Sequence, residues 1–212
     1  MASHAARLAG GAQAPGEVRP LILAGEPRTT GEELVVTFPL DGSEVARIAL
    51  GDAETVEAAL AAAHAAREEL AALPPFRRAE ILLRTAELVA ERAEELALQM
   101  TMETGNAIWE TRLEVRRVGE ILRAAAEEAR RVTGEEVPID AWPNGVGRYA
   151  LTRRFPVGPV LGITPFNAPL LLVAHKLAPA LAAGCPCIIR PASKTPLSAL
   201  SLGAIMVEAG AP

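Results

Sequence analysis

Aromatic residues are scarce: Phe, Tyr and Trp together make up 3% of the 212 positions. A platform that stacks single-stranded nucleic acid needs several such rings on one face, so that class is disfavoured. Blocks of one charge sign are missing as well. The 21 basic and 26 acidic residues are mixed along the helical stretches and sum to −5, which leaves no face advertised for phosphate backbones and no expectation of a nucleic-acid partner. Cysteine is limited to Cys185 and Cys187, one residue apart. That separation is too short for an ordinary disulfide and lacks the second pair that a zinc site needs. Both are expected to be buried thiols in a reducing compartment, the cytoplasm, with no metal bound. No apolar run reaches the ~20 residues that span a bilayer, because His175, Lys176 and Pro179 interrupt the most apolar segment. The start lacks the apolar stretch of a secretory signal. Its Ala, Gly and Pro content predicts an unstructured tail, drawn over residues 1–31.

Half of the residues are apolar, mostly Leu and Ala, which predicts many helices packed through small and branched side chains. From Glu32 to Leu50, short β-branched runs flank Pro39, Asp41 and Gly42, the pattern of a small hairpin. Asp52 then caps a helix over about 53–73, with Val56, Leu60, Ala63 and Leu70 at helical spacing. Pro74 and Pro75 end it. A long amphipathic helix is expected over 76–103, closed by Gly105, and a third over about 107–132, closed by Gly134. The charges on their outer faces are solvated surface and carry no catalytic weight. Residues 32–134 therefore form a hairpin and a helical layer.

From Glu136 to Phe155 the character changes to that of a long β-hairpin turning at Pro143-Asn144-Gly145. Residues 135–156 are the expected junction. Over 157–212 the order is strand (160–164), helix (170–183), strand (187–190), helix (197–208). That is the βαβα opening of an open parallel sheet, so the fold class is α/β, with Pro179 kinking or breaking the first crossover. Two parallel strands cannot bury both faces, so this unit is expected to be truncated, with more chain or a partner to follow.

In open α/β sheets, ligands lie beyond the carboxyl ends of the strands. Two Pro-stiffened loops stand there: Thr164-Pro165-Phe166-Asn167-Ala168-Pro169 and Pro191-Ala192-Ser193-Lys194-Thr195-Pro196. Neither contains G-x-G-x-x-G, so spacing alone names no cofactor. The stretch RFPVGPVLGITPFNAPLLLVAHKLAPALAAGCPCIIRPASKTPLSALSLGAIMVEAGAP, with METGNAIWETRLEV and AAAEEARRVTGEEVPID upstream, resembles the aldehyde dehydrogenase family, especially members acting on lactaldehyde or glyceraldehyde phosphate. The resemblance runs from about Leu34 to the last residue.

It implies a Rossmann-like cofactor domain and oxidation of a small aldehyde to a carboxylic acid with NADP or NAD through a cysteine thiohemiacetal. It also implies a homo-oligomer, when full length, joined through the hairpin. By the same resemblance, Asn167 of the proline-aromatic-asparagine motif donates its amide to the forming oxyanion, and Lys176 orients water or carries protons. Ile163, Thr164, Pro165, Phe166, Asn167, Arg190, Ala192 and Ser193 would line the cofactor. Arg190 stands where most relatives carry Lys. Ser193 stands where many NAD-preferring members carry Glu, which removes a repulsion of the 2′-phosphate and favours NADP. The family's nucleophilic cysteine and general-base glutamate lie beyond residue 212, and neither Cys185 nor Cys187 matches the nucleophile, so the chain alone is expected to be inactive. The alternatives are an acylating, coenzyme A-dependent member or a reductase when complete, and a noncatalytic interaction remnant.

Overall fold

The computed structural model describes residues 17–212. Its first elements lie where the tail was expected. Strands β1 (Val18–Arg19), β2 (Leu21–Leu23) and β3 (Glu26–Arg28) occupy most of 18–28, so the proposed tail over 1–31 is wrong from residue 18 onward. Its first sixteen residues lie outside those described. β2 and β3 pair antiparallel around a tight turn at Ala24 and Gly25, both with positive φ, 50° and 78°, as a two-residue hairpin turn requires.

Strands β4 (Glu33–Thr37) and β5 (Glu44–Ala49) form the expected hairpin, and β1 adds to β5 in parallel to give the order β1-β5-β4. One face of this sheet buries Val36 and Ile48 against Leu197 and Leu200.

The helical layer is more broken than its periodicity suggests. Asp52 caps α1 (Ala53–Ala65) by accepting from the Thr55 amide at 2.8 Å. The chain then breaks at Ala66 before α2 (Arg67–Ala72). Val56 and Leu60 are exposed, and only Ala63 and Leu70 of the proposed stripe are buried. The long helix proposed over 76–103 is likewise two: α3 (Pro75–Glu91) and α4 (Ala93–Thr104), separated at Arg92 with φ −107° and ψ 20°. Gly105 ends α4 in the left-handed region, φ 75°, a conformation in which a Cβ is unfavourable. Helix α5 (Ile108–Arg131) is continuous.

The long hairpin over 136–155 is not observed. β6 (Glu136–Val137) and β7 (Ala150–Leu151) share only two residue pairs, and two 3-10 turns, Ile139–Ala141 and Pro143–Gly145, fill the space between. The Pro-Asn-Gly stretch therefore closes a 3-10 turn rather than a hairpin tip.

Beyond it, β8 (Val160–Ile163), α6 (Pro169–Ala183), β9 (Cys187–Arg190) and α7 (Leu197–Glu208) form the expected βαβα unit, with β8 and β9 parallel and Ile163 opposite Arg190. Pro179 lies inside α6 and does not break it. One core joins the two halves: Leu82, Leu88, Val89, Met100, Val118 and Leu122 pack in the same cluster as Leu170, Val173, Leu202 and Ile205. The sheet itself is covered on one side only. Gly162 is buried under α6, while its neighbours Leu161 and Ile163 are 60% and 59% exposed. No helix among the described residues is long and apolar enough to cross a membrane.

Candidate cofactor and oxyanion site

The site is built at the carboxyl ends of β8 and β9. The ladder runs one bond past the strands, since the Thr164 amide donates to the Arg190 carbonyl at 3.2 Å, so the two following loops leave the sheet side by side. In the first loop Thr164 is buried, and Pro165, Phe166 and Asn167 are exposed before α6 begins at Pro169. In the second, Thr195 is buried, Ala192 is half-buried, and Ser193 and Lys194 are exposed. The Lys194 ammonium sits 5.2 Å from the centre of the Phe166 ring, a cation–π contact that ties the loops together.

Not every residue singled out from sequence stands there. Asn167, Phe166, Arg190, Ser193 and Lys194 are exposed in the two loops or at the strand end that feeds them. Ile163 belongs to the open face of the sheet. Lys176 belongs to the opposite face: its stem lies beside Gly162, where a Cβ would come within 3.0 Å of the Lys176 Cβ.

The end of the site away from solvent is set by acids that sequence reasoning dismissed as surface. Glu103, on the last turn of α4, is 2% exposed. Its carboxylate accepts from the Leu197 amide at 2.8 Å, from the Ser198 amide at 3.0 Å and from the Ser198 hydroxyl. Burial pushes its pKa up to about 7, against the pull of these donors and of Arg19. Glu114 on α5 accepts from the Leu171 amide at 3.0 Å, and burial raises its pKa too. Arg19, assigned to the tail from sequence, is 3% exposed and donates to Gln99 at 3.2 Å and Ser201 at 3.0 Å. Burial lowers its pKa to about 10, against the attraction of Glu103 and Glu95. A signal for the acids existed. Glu103 continues the buried row Leu96, Met100, and Glu114 sits among the buried Thr111, Val115 and Val118, so both occupy apolar-stripe positions where a solvated acid has no place.

A second signal lay in charge order. Between Ala141 and Val207 there is no Asp or Glu, against six Lys or Arg. The acidic total hides a stretch without a carboxylate of its own, which covers both strands and both loops of the site. Among the described residues, no group of three or more His, Cys, Asp or Glu could hold a metal.

Comparison with known proteins decides the family. The model of the aldehyde dehydrogenase family matches residues 27–212. The chain belongs to that family. It is 41% identical over 192 residues to the 3-sulfolactaldehyde dehydrogenase of Priestia aryabhattai, an alignment covering 91% of this chain and 40% of the relative. Aldehyde dehydrogenase 21 from Physcomitrella patens, solved with the reaction product succinate, superposes with TM-score 0.89 at 36% identity, over 93% of this chain and 41% of the other. The NADP-dependent glyceraldehyde-3-phosphate dehydrogenase from Bacillus halodurans, solved with NADP, gives 0.87 at 32% identity, over 91% and 41%. The chain thus spans about two fifths of the length of the relatives it matches.

For an aldehyde dehydrogenase, the position of the thiols matters. Cys187 starts β9, at the end opposite Arg190, and burial together with Cys185 pushes its pKa up to about 11. Cys185 is buried just after the left-handed Gly184 that ends α6, and both cysteines are free. A thiol that stays protonated, at the end of the sheet away from Asn167, is a poor nucleophile. Cys187 is half-buried rather than fully buried as expected.

Proposed function

We propose that this chain contributes the oxyanion donor and the adenosine-side wall of the cofactor cleft to an NAD(P)-dependent oxidation of a small aldehyde to its acid. The observation that carries the proposal is Asn167, exposed just past the tip of β8 beside the 191–196 loop. In this reading the Asn167 amide donates to the aldehyde oxygen as a thiolate adds to the carbonyl carbon and negative charge collects on that oxygen. Neither cysteine of this chain is that thiolate, because both stand at the far end of the sheet. A bound nicotinamide dinucleotide would supply the oxidant. Arg190, Ser193 and Lys194 would hold its adenosine end, and the acid-free stretch from 141 to 207 suits its phosphates.

NADP is the favoured form. Ser193 presents no carboxylate to a 2′-phosphate, and Lys194 next to it offers a cation. Two of the relatives, named for 3-sulfolactaldehyde and glyceraldehyde 3-phosphate, favour a short aldehyde, anionic at its other end, over the cationic betaine aldehyde for which a third is named. Calorimetric titration of the chain with NADP and with NAD tests the cofactor half of the reading: tighter NADP binding is expected, and equal or tighter NAD binding would refute the preference. The chain incubated with aldehyde and NADP is expected to form no reduced cofactor. Cysteine-dependent formation of it would refute the assignment of the thiols.

We also assign the complete protein to the cytoplasm as a homo-oligomer. Two free cysteines suit a reducing compartment. Trp142, Val146, Tyr149 and Leu151 are each more than 60% exposed on the 136–151 segment, an apolar set suited to burial against another subunit.

A further inference from the structure

Helices α6 and α7 begin directly after the two site loops, and neither has a local cap. Their N-cap residues are Ala168 and Pro196, and neither makes a side-chain capping bond. Free N–H groups at a helix start need an acceptor, and here the acceptor comes from far away in the sequence. Glu103 takes the Leu197 and Ser198 amides of α7, and Glu114 takes the Leu171 amide of α6. These bonds span 94, 95 and 57 residues. Each loop is thereby fixed at both ends. The strand ladder holds the start, through Ile163 opposite Arg190 and the Thr164 amide on the Arg190 carbonyl. A carboxylate of the helical layer holds the finish.

The two acids have a second consequence. A helix start is a ready anion site, but these two already face a carboxylate of the protein itself. A phosphate brought to either one would find these donors already taken by a side chain of the protein.

We infer that Glu103 and Glu114 are positioning residues, long-range caps that set the 191–196 and 164–168 loops on the helical layer and so fix where Ser193, Lys194 and Asn167 stand. The link to cofactor rests on the function proposed above; the positioning does not. Buried donors left without an acceptor are costly, so the loss of one of these bonds should be felt first in the loop it anchors.

Amide hydrogen exchange on the 212-residue chain tests this, comparing wild type with Glu103→Ala, Glu103→Gln, Glu114→Ala and Ser198→Ala. Glu103→Ala is expected to speed exchange about tenfold or more over residues 192–198 while leaving 165–171 unchanged, and Glu114→Ala to do the reverse. Amides of Leu82 and Leu122 should accelerate much less than the loop that each acid anchors. Glu103→Gln keeps one acceptor oxygen and should recover part of the protection. Uniform acceleration that includes Leu82 and Leu122, or no change in either loop, would overturn the inference. Where Glu103→Ala does not fold, Ser198→Ala decides: a weaker effect confined to 192–198 supports positioning, and a diffuse or absent one refutes it. NADP affinity, measured in parallel, should fall several-fold in Glu103→Ala and less in Glu103→Gln. A wild type that binds no NADP would sink the cofactor assignment, and the exchange data would still judge the caps.

Discussion

Asn167 and Glu103 are polar residues with opposite surroundings, and each leads to a different expectation. Asn167 is exposed just past a strand tip, so replacing it should leave folding almost untouched. In a complete enzyme carrying this segment, Asn167→Ala should lower kcat by about 10²- to 10³-fold at nearly constant melting temperature, the usual consequence of losing one oxyanion donor. A kcat within twofold of wild type would remove it from the chemistry. Glu103 is buried, and its pKa of about 7 lies above the ordinary 4.5. The folded state therefore holds this proton more tightly than the unfolded chain does. Stability from this group is present in full below about pH 4.5 and is lost as pH rises through about 7, the reverse of an ordinary ion-paired carboxylate. Glu103→Gln cannot titrate. Between pH 4.5 and 7.5, denaturant unfolding should show wild type losing on the order of 3 kcal/mol relative to Glu103→Gln. Parallel pH profiles for the two proteins would contradict the raised pKa.

At the scale of elements, the contact between β8 and its crossover helix allows no side chain at one point. A Cβ on Gly162 would fall 2.7 Å from Ile189 Cδ1 and 3.0 Å from Lys176 Cβ. The Ile189 tip can rotate away, but the Lys176 Cβ moves only with α6. Gly162→Ala should therefore destabilise by about 1–3 kcal/mol through overpacking; a melting temperature equal to wild type would show that the helix gives way freely. The βαβα order and the two loops at its strand ends followed from the alternation of apolar runs with Pro-rich punctuation, and their bounds agree with the structure to within a residue. Breaks at Ala66 and Arg92 were not legible, because periodicity continues across them and no Pro or Gly marks them. β1 to β3 escaped notice because strands of two or three residues around Pro20, Gly25 and Pro27 are too short to show alternation. The shortened hairpin misled for a different reason. Its turn residues are real but serve 3-10 turns, which use the same Pro, Asn and Gly. At the site, the loops were readable from topology, and the stripe positions of Glu103 and Glu114 marked them as buried, whereas the partners of these acids and of Arg19 lie many tens of residues away, which no local window contains.

At the scale of the whole molecule, the decisive fact is that the core ignores the junction drawn from sequence at 135–156. Leu82 of α3, Leu122 of α5, Leu170 of α6 and Leu202 of α7 are all fully buried in one cluster. The two buried acids cross the same boundary with hydrogen bonds, and Arg92 at the end of α3 reaches Glu208 at the end of α7 at 2.7 Å. Exposed ion pairs along the helices add little by comparison, since pairs of that kind are worth ~0–1 kcal/mol. The helical layer and the βαβα unit should therefore unfold together. Leu122→Ala in the first and Leu170→Ala in the second should each lower stability by about 2–5 kcal/mol, as expected for emptying a packed core site. Both should shift the same single transition. Far-ultraviolet circular dichroism follows all helices, while fluorescence of Trp109 in a Trp142→Phe background follows the helical layer, so coincident curves from the two probes are the expected outcome. Two separated transitions, with Leu170→Ala moving only one of them, would show that the chain divides near residue 135 after all, and that the helical layer does not need the sheet to fold.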